Sequence, residues 1–227
     1  MKFGLVGRGP QAARYLEQKN SAGHVVSQVH GRISAPDYDD FLKTVDAVII
    51  ATHPAGHREL ALAAIRHGKP LIVEKPLALN LTDALGIISA AETSAVPLEV
   101  AHLHLWHERF PSFLVGATHA SVNLTYWHHS RDYSAWLDWG PHVMAALEAT
   151  KAPDVSWTFL QGAHREFRLT VLDAQDRRYV FTGREGYQQT PMLHMLAAFA
   201  RGHTWGYEFQ RRVYRALFAH EEKLNGE

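Results

Sequence analysis

The chain opens on a short apolar strand, Lys2 to Val6, that runs directly into Gly7-Arg8-Gly9-Pro10-Gln11-Ala12. This turn restricts the fold more tightly than any other feature. Two glycines separated by a single residue, after a strand and before a helical stretch at Ala12 to Gln18, suit a narrow set of architectures. Gly7 permits the tight bend, Gly9 keeps a side chain out of the path of an approaching pyrophosphate, and the small Ala12 lets helix and strand pack closely. Arg8, Pro10 and Gln11 complete the turn, and the helix that follows offers free N–H groups and a positive dipole end to an anion. In this context G-x-G-x-x-A predicts a dinucleotide-binding turn.

The residues that follow keep to the same plan. His24 to His30 reads as a strand and Asp37 to Lys43 as a brief helix, with Pro36 near its start. Asp46 to Thr52 is a continuous apolar run, as in a strand buried on both faces of a parallel sheet. Glu59 to His67 is helical and stops at Gly68; Pro70 to Val73 and Leu98 to Leu105 read as strands around a helix at Leu81 to Thr93. Alternation of this kind predicts an α/β, Rossmann-like doubly wound parallel sheet. Near residue 115 the pattern changes. Strands are expected at Ala120 to Trp127, Val155 to Gln161, His164 to Leu172 and Arg178 to Thr182, with a hairpin turn at Asp173 to Asp176. Helices are expected at about Gly140 to Ala149, Met192 to Arg201 and Tyr207 to Leu224. The expected organisation is a dinucleotide-binding domain over 1–115 and a smaller α+β domain over 116–227, with an open, mostly antiparallel sheet and C-terminal helices.

Composition removes several function classes. Basic and acidic residues balance at 23 each, against a nucleic-acid binder that works by neutralising phosphates. There is no cysteine, hence no disulfide framework, no Cys-ligated zinc and no thiol nucleophile. No stretch approaches the ~20 apolar residues of a membrane span and the N-terminus lacks a signal-peptide core, so the expected location is cytoplasmic. The second strand ends at Val29 to Ser34 without the acidic residue that would accept from a ribose 2′-hydroxyl. Arg32 and Ser34 stand there instead, which favours NADP over NAD.

Five ordered segments resemble the Gfo/Idh/MocA family of oxidoreductases, the glucose-fructose oxidoreductase and inositol dehydrogenase group. They are the strand with Gly7, Gly9 and Ala12; Asp46 to His57 (DAVIIATHPAGH), similar to the family's strand followed by T-x-P-x-x-H; Gly68 to Pro76 (GKPLIVEKP), similar to G-K-x-V-x-x-E-K-P; Arg109-Phe110-Pro111; and Asp138-Trp139-Gly140-Pro141-His142, similar to D-x-G-x-H. The resemblance covers residues 1 to about 145. It implies hydride transfer between a nicotinamide and a small hydroxyl or carbonyl substrate such as a sugar or cyclitol. On this reading His142 is the acid/base, with a reference pKa near neutrality. Lys75 donates a hydrogen bond to the substrate oxygen, and Asp138 orients a cation or binds a hydroxyl. Thr52, Pro54 and His57 line the cofactor, and Glu74 shapes the turn or contacts the cofactor. Singly, such residues are more often core histidines, solvated lysines or helix caps; as an ordered set they read as catalytic.

The chain departs from the family pattern in length and reads as a shortened member. The stretch between His30 and Asp46 leaves the second helix and third strand of the Rossmann half trimmed or absent, and the second sheet is expected to have four strands. That sheet is the expected face of a homodimer. Two other readings stay open: a non-catalytic binding or regulatory protein, and a C=N or pigment reductase on the same fold. Trp106, Tyr126, Trp127, Tyr133, Trp136 and Trp139 would suit a flat substrate or a sugar, or fill a core. The 16 histidines raise the question of a metal. His102, His104 and His107, and the pair His128-His129, are the candidate ligands, but no H-E-x-x-H is present and no metal is expected.

Overall fold

The computed structural model describes residues 1–18, 25–30, 35–108, 110, 116–126, 133–161, 166–182 and 189–225. Five parallel strands, β1 (Lys2–Val6), β2 (Val25–His30), β3 (Ala47–Ile50), β4 (Leu71–Val73) and β5 (Leu98–Val100), form the first sheet in the order β2-β1-β3-β4-β5. Helices α1 (Pro10–Glu17), α2 (Ala35–Lys43), α3 (His57–Arg66) and α4 (Leu81–Thr93) connect them. Every residue of β3 and β4 is buried, as in strands with both faces covered.

Strand β1 shows both faces. The ring of Phe3 stands 6.2 Å from that of Phe199. The next residue points the other way: a Cβ on Gly4 would lie 2.4 Å from Cζ of Phe41 in α2. Gly4 therefore lets α2 sit directly on the sheet. Helix α2 is nine residues long, and it completes the β2-α2-β3 crossover, because short connections on either side of a helix suffice for such a unit. Among the described residues the sheet ends at β2, without the further strand that the doubly wound 3-2-1-4-5-6 order places outside it, in line with the trimming expected between His30 and Asp46.

The chain divides by compactness into two units, Met1–Ala101 with Met192–Arg211, and His102–Pro191 with Arg212–Glu227. The expected boundary near residue 115 was contiguous; here most of α6 (Gln189–Ala200) and the start of α7 (Tyr207–Asn225) go with the first unit. Phe199 packs on Phe3. The backbone N–H of Trp205 donates to the buried Glu99 carboxylate at 3.0 Å, and the Tyr207 hydroxyl donates to the Val96 carbonyl at 2.8 Å. Arg211 pairs with Glu92. A buried carboxylate needs donors, and this returning segment supplies one.

The second unit is a four-stranded sheet in the order β7-β6-β8-β9, from β6 (Ala117–Tyr126), β7 (Asp154–Gln161), β8 (Glu166–Asp173) and β9 (Arg178–Thr182). It is mixed: β6 runs parallel to β7 and antiparallel to β8, which runs antiparallel to β9. Helix α5 (Ala135–Thr150) lies against β6 and β8, over Ala120, Val122, Leu169 and Val171, all buried. The opposite face is polar. Its His119 ring bonds Asp154 at 2.7 Å and the Ser156 hydroxyl at 3.2 Å. The hairpin between β8 and β9 is held by the Asp173 carboxylate, which accepts the N–H groups of Gln175 at 2.9 Å and Arg177 at 3.0 Å, as an Asx turn does.

Candidate functional site

In the first sheet the order reverses at β1: β2 lies on one side and β3 on the other. Ligands of open α/β sheets bind at such a switch point, beyond the carboxyl ends of the strands. The turn from Gly7 to Ala12 stands there. Gly7 has φ +144°, and a Cβ on it would fall 2.2 Å from the carbonyl oxygen of Ala51. That backbone is fixed, since Ala51 N–H donates to the Val6 carbonyl at 2.8 Å. Gly7 is thus required for the ends of β1 and β3 to approach. Gly9 differs. It is the N-cap of α1 in extended conformation, makes no side-chain cap, and has nothing within 4 Å of where a Cβ would stand. Pro10 opens the helix, where its missing N–H costs nothing. Arg8, Gly9 and Pro10 are exposed and Ala12 is buried. Open space before an uncapped helix head, whose first-turn N–H groups have no intrahelical partner, fits a pyrophosphate. Gly7 to Ala12 are the residues that could hold one.

The Glu74-Lys75-Pro76 segment lies at the end of β4. Glu74 N–H donates to the Ile50 carbonyl at 2.9 Å. The Glu74 side chain is buried and accepts, at one oxygen, the Tyr15 hydroxyl at 2.8 Å and the Gln11 amide at 2.9 Å. Burial pushes the Glu74 carboxyl up, and the two donors and the Lys75 charge offset part of that rise. Tyr15 holds its proton strongly, from burial and the adjacent Glu74. Glu74 therefore faces into the protein, toward α1. Lys75 is half-buried and joins Pro76 through a cis peptide.

His57 has no exposed surface. Its Nδ1 lies 3.0 Å from the Pro76 carbonyl oxygen and its Nε2 3.1 Å from that of Thr52. It was expected to line the cofactor; instead the ring ties the end of β3 to the segment after Lys75. Desolvation lowers its pKa to about 4, so at neutral pH the imidazole is uncharged. Pro54 is buried in a short 3-10 turn, and Thr52 is partly exposed. Arg32, Arg109, Pro111, Trp127, His128 and His129 lie outside the described residues.

In the second unit Ser134 caps α5 by accepting Leu137 N–H at 3.2 Å. The helix therefore begins at Ala135 rather than near Gly140, with Pro141 inside it. Asp138 and His142 stand four residues apart on one helix, hence on one face. His142 is buried, with the ring of His104 at 4.4 Å and that of His102 at 6.3 Å between centroids. His102 and His104 were expected on a strand; β5 ends at Val100 and Leu103–Trp106 is a 3-10 turn. No group of three His, Asp or Glu among the described residues is arranged to hold a metal ion. Trp136 and Trp139 are core residues; the Trp136 indole N–H donates to the Leu217 carbonyl at 3.0 Å.

Tyr15 was missed by the sequence reading. Its signal was its position four residues after Gln11, on the same face of α1.

Residues 3–102 match the family model described as "Oxidoreductase family, NAD-binding Rossmann fold", Gfo/Idh/MocA. Among curated proteins, 1,5-anhydro-D-fructose reductase of Ensifer adhaerens is 40% identical over 37% of this chain and 23% of its own length. Inositol 2-dehydrogenase of Pseudomonas savastanoi pv. phaseolicola is 35% identical over 35% of this chain and 22% of its own. The matched stretch thus spans less than a quarter of either relative. Among solved structures, GenD2 from gentamicin A biosynthesis, in complex with NAD, superposes with a TM-score of 0.78 at 14% identity, covering 100% of this chain and 95% of that one. No helix among the described residues is long and apolar enough to cross a membrane. Residues 3–102, with their phosphate turn and Glu-Lys-Pro segment, are thus similar to the Gfo/Idh/MocA family of oxidoreductases.

Proposed function

We propose that the chain is an NAD(P)-dependent oxidoreductase acting on a hydroxyl or carbonyl carbon of a small polyhydroxylated substrate, a sugar or cyclitol. The observation that carries this reading is the phosphate turn at the switch point after β1, with Lys75 just past the end of β4, two strands along the same sheet. When bound, the nicotinamide supplies or accepts the hydride. The first-turn N–H groups of α1 hold the pyrophosphate, with Arg8 as a nearby cation. Arg32, with no acidic residue beside it in the sequence, favours the 2′-phosphate of NADP. Lys75 donates from Nζ to the substrate oxygen and stabilises negative charge there. His142 gives or takes the proton, and Asp138, one turn earlier, orients it or accepts a substrate hydroxyl. Names of the relatives, a reductase of an anhydro sugar and a dehydrogenase of inositol, support the substrate class. We also propose a cytoplasmic location and a homodimer through the open face of the second sheet, to be checked by light scattering.

Titration calorimetry with NADH and NADPH tests the reading, followed by turnover assays on myo-inositol and 1,5-anhydro-D-fructose. The expected result is micromolar binding, tighter for NADPH, with Arg32→Ala weakening NADPH more than NADH. Lys75→Ala and His142→Ala are expected to suppress turnover and leave nucleotide affinity largely intact. Absence of binding to either nucleotide would overturn the proposal.

A further inference from the structure

We infer that Glu74 is a positioning residue whose side chain couples the phosphate turn at the head of α1 to the segment that carries Lys75. The inference rests on the nucleotide-binding part of the proposed function. A direct contact of Glu74 with the cofactor is one role its place in the sequence allows; the geometry gives it a different task.

Both described partners of the carboxylate lie on α1, and both donate to Oε1: the Tyr15 hydroxyl at 2.8 Å and Gln11 Nε2 at 2.9 Å. The Gln11 amide is oriented by a third residue. Its Oε1 accepts from Arg14 at 3.1 Å, which leaves Nε2 to face Glu74. Gln11 sits in the first turn of α1, and its backbone N–H is one of the donors a pyrophosphate would use. At the other end, the Glu74 backbone is locked to β3 through Ile50, and Lys75 is the next residue. Two residues of α1 four positions apart thus grip one oxygen of a residue bonded directly to Lys75. A buried acceptor holding two donors is worth more than an exposed one, because losing it leaves the buried Tyr15 hydroxyl and the part-buried Gln11 amide unmatched. Helix α1 therefore sits at the height and rotation that Glu74 dictates. A shift of that helix moves the first-turn N–H groups and releases Lys75 from one side.

Because one oxygen takes both hydrogen bonds, an amide can replace the carboxylate. This separates acceptance from charge. The variants are Glu74→Ala, Glu74→Gln, Tyr15→Phe and Gln11→Leu, the last keeping its backbone N–H. Two readouts are used: calorimetric Kd for NADH and NADPH, and hydrogen exchange of the α1 amides in the free protein. Glu74→Ala is expected to raise both Kd values about tenfold and to speed exchange in α1. Glu74→Gln is expected to recover most of that loss, to within about threefold of the native chain. Tyr15→Phe and Gln11→Leu should each give a partial loss, and Gln11→Leu should add little in the Glu74→Ala background, since it acts through the same network. Should Glu74→Ala fail to fold, the two single-donor variants carry the test. The inference is overturned if Kd and exchange in Glu74→Ala match the native chain, if Glu74→Gln is as impaired as Glu74→Ala, or if a lower melting temperature is the sole effect. Failure of the native chain to bind either nucleotide would instead strike the proposed function, and exchange in α1 would still decide the coupling.

Discussion

Gly7 and Gly9 stand two residues apart in one turn, yet the structure gives them opposite sensitivities. At Gly7 the backbone has φ +144°, which an L-residue adopts at a cost of about 1–3 kcal/mol. A methyl there also meets the Ala51 carbonyl, 2.2 Å to oxygen and 2.7 Å to carbon. Relief requires Ala51 to move, which sacrifices its 2.8 Å hydrogen bond to Val6, about 1 kcal/mol. Together Gly7→Ala should cost about 2–4 kcal/mol, a fall in melting temperature of roughly 5–15 °C for a chain of this size. Gly9 has φ −75° and ψ 177°, and open space where its Cβ would stand. Gly9→Ala should cost about 1 kcal/mol or less, the difference between glycine and alanine as an N-cap, while its methyl obstructs an anion at the helix head. The assay is thermal melting by circular dichroism beside calorimetric titration with NADPH. Gly7→Ala should melt early; Gly9→Ala should melt near the native chain and bind nucleotide at least tenfold more weakly. A Gly7→Ala protein that melts within 2 °C of the native one, on the scale of about 2–4 °C per kcal/mol, would refute the close-approach argument.

Two further outcomes follow from burial. His57 has a folded pKa of about 4, below its reference value near 6.5, so between these the unfolded chain binds the extra proton. Stability from this group is complete above about pH 6.5 and is lost as pH falls through 4, by about 3 kcal/mol. Urea denaturation at pH 7.5 and 4.5 should show that slope in the native chain and a flatter one in His57→Gln. Phe199→Ala removes a buried ring packed on Phe3 and should cost about 3–5 kcal/mol. Exchange protection should fall in β1, which would not occur if α6 served the second unit alone.

Much of the first sheet was legible because its strands are continuous apolar runs with glycine or proline at their ends. DAVII and PLIV in the sequence have no competing reading at their length. The helix around His142 was misjudged at its start because Gly140-Pro141 looks like a helix head, where proline is favoured. Ser134 was the true cap, and Pro141 is tolerated inside the helix at the loss of one backbone donor. The role of His57 was hidden for another reason. A histidine seven residues past a strand end can face solvent, ligand or core, and the two carbonyl oxygens beside its ring nitrogens belong to Thr52 and Pro76, the latter distant in sequence. The destination of α6 was equally closed to pattern reading. Its residues are apolar on most sides, and such a helix can cover either sheet.

The return of Met192–Arg211 to the first unit also bears on how the chain is made. During synthesis the five parallel strands leave the ribosome well before the segment that covers Phe3 and supplies a donor to Glu99. Until that segment emerges, an apolar sheet face and a buried-type carboxylate stand exposed to water. The first unit therefore cannot reach its native packing from the N-terminal strands alone, and closes only after the second sheet has been translated. Contacts of such long sequence separation slow folding and lengthen the exposure of sticky surface. The nascent chain should accordingly depend on chaperone shielding through the synthesis of residues 102–191.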